Sequence, residues 1–181
     1  MTSMARKGLV VALVHVALVS SVGAKLLVDR ATRPRVWVRT APVDPNLPIR
    51  GRYLSLRLEV RPSGGLVLPE GKTETMPNGS TYTQLAPWQQ VRLVNEGNAL
   101  VAVPSDDWRD PSAVRGMRDG QVVAVVQSPV AYFIPESVRD PSRLSPGEEL
   151  WVEVTVPKAG LPRPIQLGVK KDGVIKPLAV R

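Results

Sequence analysis

The chain has 181 residues, 43% hydrophobic and 22% charged, and a formal net charge of +8. This composition excludes a disordered chain, and the low aromatic content of 4% means that aliphatic side chains form most of any core. There is no cysteine, which excludes disulfides and thiol chemistry. The single histidine, His15, lies in an apolar N-terminal stretch, so the rest of the chain has no histidine-based triad or metal cluster. We therefore predict no cofactor and no metal site.

The N-terminal segment predicts a membrane span. Residues 8–24 carry no charge, and the apolar run reaches spanning length when continued to Val28 with Lys25 extending its ammonium to the interface. We predict that residues 1–28 form a short cytoplasmic stub and a transmembrane signal anchor, and residues 29–34 a juxtamembrane linker. A cleavable signal peptide is the alternative, because Val22-Gly23-Ala24 resembles a cleavage site.

The charges around this segment favour opposite orientations. Arg6 and Lys7 before it favour a cytoplasmic N-terminus. The basic residues after it favour the reverse; these are Lys25, Arg30, Arg33, Arg35 and Arg39. His15 inside the span is interpreted as a neutral imidazole tolerated in lipid, with a polar contact to a partner helix as the alternative.

The remaining chain predicts an all-β domain over residues 35–181. Eighteen prolines, the first of them Pro34, exclude long helices there. Residues 53–60 alternate leucine or valine with polar side chains, the pattern of a half-buried strand. In chain order, strands are predicted at 36–38, 53–60, 91–94, 100–103, 121–127, 130–134, 150–156, 165–170 and 174–180. Residues 71–79 are predicted to be a loop, and Asp110-Pro111 to begin a short helix. Eight or nine short strands are typical of a small barrel or sandwich.

Two segments carry a family resemblance. The first contains Pro42-Val43-Asp44-Pro45 followed by Gly51, Tyr53 and Leu56, and the second is Tyr132-Phe133-Ile134-Pro135-Glu136. Both resemble blocks of the bacterial GDYXXLXY protein family, with Arg52 replacing the aspartate of the motif and Leu58 its last tyrosine. The resemblance implies a single-span membrane protein with an extracytoplasmic β domain, often found beside multi-pass membrane proteins, and it implies no particular activity.

These motif residues are the candidate binding residues. They are Asp44, Gly51, Arg52, Tyr53, Leu56, Tyr132, Pro135 and Glu136. Structural roles compete with binding: Asp44 before a proline organises a turn, Gly51 supplies a backbone angle before a strand, and Glu136 pairs with an arginine. No residue is predicted to be catalytic, because no nucleophile motif or pair of acids stands out.

These observations favour an anchored accessory domain outside a bacterial cytoplasmic membrane that binds an integral membrane protein. Two alternatives remain open. One is a hydrolase whose site is assembled from dispersed Ser, Lys and carboxylate residues. The other is binding of anionic lipid or nucleic acid through the arginines, although their scattered distribution argues against nucleic acid.

Overall fold

The structure is a computed structural model. It describes the backbone of residues 3–41, 53–71, 73–75, 81–83, 87–135, 138 and 140–179, and the side chains of these residues apart from 3–6, 29–30, 73–75 and 81–83. The chain divides into two compact units, Met1–Arg33 and Pro34–Arg181.

The first unit is a single helix, α1, Ser3–Thr32. It contains an apolar stretch of 22 residues, Lys7–Val28, with a mean hydropathy of 2.0, which is long enough to cross a membrane. Its leucines and valines are exposed around the whole circumference. His15 Nδ1 lies 2.9 Å from the carbonyl oxygen of Val11, one turn back. The helix backbone therefore provides a hydrogen-bond partner for one nitrogen of the imidazole.

The helix continues through most of the predicted linker. Residues up to Thr32 are helical, and only Arg33 and Pro34 separate α1 from the first strand. Proline disfavours helical geometry in the residue before it, so Pro34 accounts for this end point.

The second unit is all-β in its described residues, as predicted. Thirteen strands lie in the described part of this unit: β1 Arg35–Thr40, β2 Tyr53–Leu56, β3 Leu58–Pro62, β4 Thr73–Thr75, β5 Thr81–Thr83, β6 Gln89–Glu96, β7 Ala99–Pro104, β8 Ser112–Arg118, β9 Gln121–Val126, β10 Val130–Phe133, β11 Glu149–Thr155, β12 Arg163–Lys171 and β13 Val174–Pro177.

Nine strands form one sheet in the order β13-β12-β11-β1-β3-β7-β6-β8-β9. Strand β9 also pairs with β3, with Glu59 opposite Val125. Strands β3, β7, β6, β8 and β9 therefore form a hydrogen-bonded ring, within which only the β3–β7 pair is parallel. Two small antiparallel sheets, β2–β10 and β4–β5, complete the described strands.

The predicted strand at residues 53–60 is divided between two sheets. It is interrupted at Arg57, so β2 pairs with β10 while β3 joins the large sheet. The alternation continues across the interruption: Leu54, Leu56, Leu58 and Val60 are all no more than 3% exposed. This row belongs to the single core cluster of the domain, and a strand period of two places it on one face.

Two local predictions were wrong. The helix expected after Asp110-Pro111 is strand β8, which pairs with β9 from Ala113 to Arg118; tertiary pairing prevails over the local capping pattern. The loop expected at residues 71–79 contains β4, which pairs with β5. The number of strands also exceeds the expected eight or nine, partly because of these two segments.

Candidate functional site

The structure describes four of the eight candidate binding residues. Tyr53 and Leu56 lie on β2, Tyr132 lies on β10, and Pro135 follows β10. The other four lie outside the described residues; they are Asp44, Gly51, Arg52 and Glu136.

The two resemblance segments meet as neighbouring strands. β2 and β10 pair antiparallel, with Tyr53 opposite Phe133, Leu54 opposite Tyr132 and Leu56 opposite Val130. The segments are about 80 residues apart in sequence, so only the tertiary fold brings them together. We refer to this pair of strands as the motif ribbon.

One face of the motif ribbon lies in the core. Leu54 is 3% exposed, Leu56 0% and Val130 4%, while Tyr132 is half-buried and packs against the core cluster. The backbone carbonyl of Pro135, which follows β10, accepts a hydrogen bond from Val138 N at 3.1 Å. Leu56, Tyr132 and Pro135 therefore have structural roles.

The opposite face of the motif ribbon is open to solvent. Tyr53 is 60% exposed and Phe133 47%, and Ser55 and Ala131 between them are also exposed. The rings of Tyr53 and Phe133 meet edge to face, with their centroids 5.7 Å apart and an interplanar angle of 71°. We call these four side chains the aromatic strip. Exposed aromatic side chains are enriched at protein interfaces because they bury a large area at low entropic cost.

A cluster of charged side chains, which the sequence analysis missed, lies where β1, β3, β8 and β11 approach each other. The Glu59 side chain is only 6% exposed; Arg118 donates to both its oxygens, at 2.8 and 3.2 Å, and Arg39 Nε lies 3.8 Å away. The hydrogen bonds that Arg118 donates to the Glu59 carboxylate raise the pKa of Arg118. Arg39 also pairs with Asp119 at 3.1 Å and with Glu149.

The charges of this cluster compensate one another internally. Each described carboxylate of the cluster has an arginine partner: Arg39 pairs with three acids, and Arg118 pairs with Glu59. The only sequence indication was the polar face of residues 53–60, which includes Glu59; its partners come from other strands and are not predictable from spacing. The cluster stabilises the junction of these strands and offers no unpaired carboxylate for acid–base chemistry.

Within the described residues, no three Asp, Glu or His side chains are grouped as ligands for a metal ion. The family model described as "GDYXXLXY protein" matches residues 16–167. The chain belongs to the GDYXXLXY family. This match begins inside α1 and ends in β12, so it covers the second half of the helix as well as both strands of the motif ribbon. No curated protein and no solved structure matches the chain.

Proposed function

We propose that this GDYXXLXY protein is an accessory domain anchored by α1 to a bacterial cytoplasmic membrane, with residues 35–181 on the outer side. Its function is to bind an integral membrane protein through the aromatic strip. The observation that carries the proposal is that the two motif segments form one ribbon whose outward aromatic side chains lie in solvent.

Two observations support anchoring. The leucines and valines of α1 between Leu9 and Val28 are 46–73% exposed, and a helix that is apolar on all sides requires a buried or lipid environment. The family match also includes the helix from Val16 onward, which favours a retained segment over a leader that is removed.

Two observations support binding through the aromatic strip. The inner face of the ribbon already contributes its apolar side chains to the core, so folding does not require Tyr53 and Phe133 to be aromatic. A patch of this kind gains free energy when a partner covers it. Tethering keeps the local concentration of a membrane partner high, so a small interface is sufficient.

The described contacts favour this proposal over the two alternatives. For a hydrolase, the candidate Ser63 is engaged elsewhere, because its Oγ lies 3.2 Å from Glu96. For binding of polyanions, a row of free cations is required. Six described arginines instead take part in ion pairs within the chain; they are Arg39, Arg92, Arg109, Arg115, Arg118 and Arg143.

The test is site-specific photocrosslinking of the full-length protein in its native membrane. A benzophenone amino acid replaces Phe133 in one variant and Val174 in the other. Val174 is the matched control because it is also exposed, at 59%, and lies on β13, which belongs to a different sheet from the motif ribbon. We expect the Phe133 variant to form an adduct that mass spectrometry identifies as a multi-pass membrane protein, and the Val174 variant to form none.

The second arm combines the crosslinker at Ser55 with Tyr53→Ala and Phe133→Ala. The yield of the same adduct should fall several-fold, since the main apolar contact area is lost. Adducts only with a second copy of the chain, or equal yields from Phe133 and Val174, would contradict the proposed interface.

A further inference from the structure

A groove of about 760 Å³ lies where β6 and β8 begin and β9 ends. Two tryptophans line it: Trp88, just before β6, and Trp108, in the loop between β7 and β8. Trp88 is 67% exposed and Trp108 84%, the highest value for an aromatic residue in the described part of the chain. Neither side chain is part of the core cluster, so the fold does not explain their presence.

The loop that carries Trp108 is held by a buried carboxylate. The Asp110 side chain is 0% exposed; one of its oxygens accepts hydrogen bonds from Ser105 Oγ at 2.7 Å and Arg92 Nε at 2.9 Å, and the other accepts from Gly160 N at 3.1 Å. Burial alone raises the pKa of Asp110, but these hydrogen bonds outweigh it and the pKa is lowered. Both ends of the loop are thereby fixed.

A second carboxylate braces the loop beside the tryptophan. Asp107 accepts hydrogen bonds from both the side chain and the backbone N–H of Arg109, and these contacts lower the pKa of Asp107 to about 2. Gln90 Nε2 donates to the backbone carbonyl of Asp107 at 3.2 Å. Trp108 is therefore presented to solvent from a preorganised loop, which reduces the entropic cost of binding a ligand.

The groove combines neutral polar groups with these rings. Its lining includes two charged side chains, and each is compensated within the protein: Arg115 pairs with Glu70 at 2.7 Å, and Asp110 pairs with Arg92. Ser112 and Ser128 also line the groove, and neither hydroxyl has a hydrogen-bond partner among the described residues. The groove thus combines flat apolar faces with neutral hydrogen-bonding groups.

We infer that this groove binds a neutral saccharide chain, with sugar rings lying against Trp88 and Trp108 and sugar hydroxyls bonding to the serines. A pyranose has an apolar face of C–H bonds, whose positive hydrogens match the negative face of an indole ring, and a rim of neutral hydroxyls. Single-stranded nucleic acid also stacks on aromatic rings, but it requires free cations along its backbone. An acyl chain would leave the serine hydroxyls without partners.

The test uses the full-length protein in phosphatidylcholine nanodiscs, since sugar-headed detergents would compete for the groove. Tetra- to hexasaccharides of β-1,4-linked glucose, β-1,4-linked N-acetylglucosamine and α-1,4-linked glucose are titrated by calorimetry. We expect binding of at least one of them. Trp108→Ala and Trp88→Ala should each weaken the binding about tenfold or more, the effect of losing one aromatic anchor of a binding site. Combining Ser112→Ala and Ser128→Ala with a tryptophan variant should weaken saccharide binding further. Val174→Ala is the matched surface control.

Three outcomes overturn the inference. The first is no binding of any of these oligosaccharides at 10 mM, a concentration that detects even weak sites on the order of 1 mM. The second is binding that both tryptophan variants retain. The third is tryptophan-dependent binding of a dT15 oligonucleotide in place of the sugars. Because the tryptophans are exposed, a changed melting temperature is not expected. The inference is independent of the crosslinks from Phe133, so the two proposals fail separately.

Discussion

The six-membered ring of Trp37 on β1 reaches across β11 and covers Gly168 on β12. A Cβ atom at residue 168 would lie 2.8 Å from Trp37 Cζ3 and 3.0 Å from Ile175 Cγ2. Gly168 is buried and opposes Trp151 in the sheet. The tryptophan therefore occupies the space that any other residue at position 168 would need.

Gly168→Ala should destabilise the domain. Overpacking a filled site costs about 1–3 kcal/mol, so the midpoint of unfolding of the full-length protein should fall. Trp37→Leu removes the overlapping ring atoms, and in that background Gly168→Ala should cost clearly less. The measurement is a double-mutant cycle from denaturation curves; additive effects of the two changes would show that the ring does not constrain residue 168.

Truncation of two residues of the family motif should lower the stability by very different amounts. Leu56 is fully buried and Tyr53 is 60% exposed. Leu56→Ala should destabilise the protein by about 2–5 kcal/mol, whereas Tyr53→Ala should cost no more than about 1.5 kcal/mol, the value of its contact with Phe133. Thermal unfolding of both variants checks this. If Tyr53→Ala proved the more damaging, the aromatic strip would have to be part of the core.

Asp110→Asn should weaken the protein at neutral pH by about 2–4 kcal/mol, since the neutral amide leaves Arg92 without its buried counter-charge. The pKa of Asp110 is lowered in the folded state. Its stabilising contribution is therefore complete above the unfolded-state pKa of about 3.9 and is lost as the pH falls through the lower, folded-state pKa.

The corresponding measurement is the free energy of unfolding between pH 7 and pH 2. The wild-type curve should decline steeply below about pH 4, and that of Asp110→Asn should decline less. Asp106→Asn is the control, because Asp106 is exposed and has no ion-pair partner among the described residues. Equal acid sensitivity of all three proteins would show that Asp110 contributes nothing to this decline.

The orientation is testable with single cysteines, since the natural chain has none. Val67 is 76% exposed in the domain, and residue 3 lies on the other side of the apolar stretch. An impermeant thiol reagent applied to intact cells should label Val67→Cys and should label Ser3→Cys only after lysis. The reverse pattern would place the domain in the cytoplasm, as the basic residues after the span favour.

The features that could be predicted from the sequence were those with a local pattern of apolar and polar residues. Residues 54, 56, 58 and 60 form a buried row because strand side chains alternate between the two faces. The apolar run of α1 could be predicted from its composition alone. The strands at 91–94 and 100–103 were also predicted, and they pair as β6 and β7 around Gly97, which has a positive φ.

The motif ribbon and the charged cluster are formed by strands that are distant in sequence. Such pairing leaves no periodic pattern in the sequence. Nothing near Tyr53 indicates that Phe133 lies opposite it, and Glu59 gives no indication of Arg118. Asp110 shows how a local rule fails: an aspartate before a proline is typical of a helix start, but here the carboxylate accepts hydrogen bonds from Ser105, Arg92 and Gly160. The residues that follow then pair with β9 as a strand.

The ring of five strands has a consequence for solubility. Because β9 returns to β3, the end of the nine-stranded sheet at β9 is closed where Ala124 and Val125 pair with Val60 and Glu59. Among the described strands of that sheet, β13 forms the other end, where another chain could add a strand and start an aggregate. This short strand carries Lys176 and Pro177; the lysine repels an identical neighbour, and the proline has no N–H to donate. These two residues thereby protect the β13 edge of the domain against edge-to-edge polymerisation at high protein concentration.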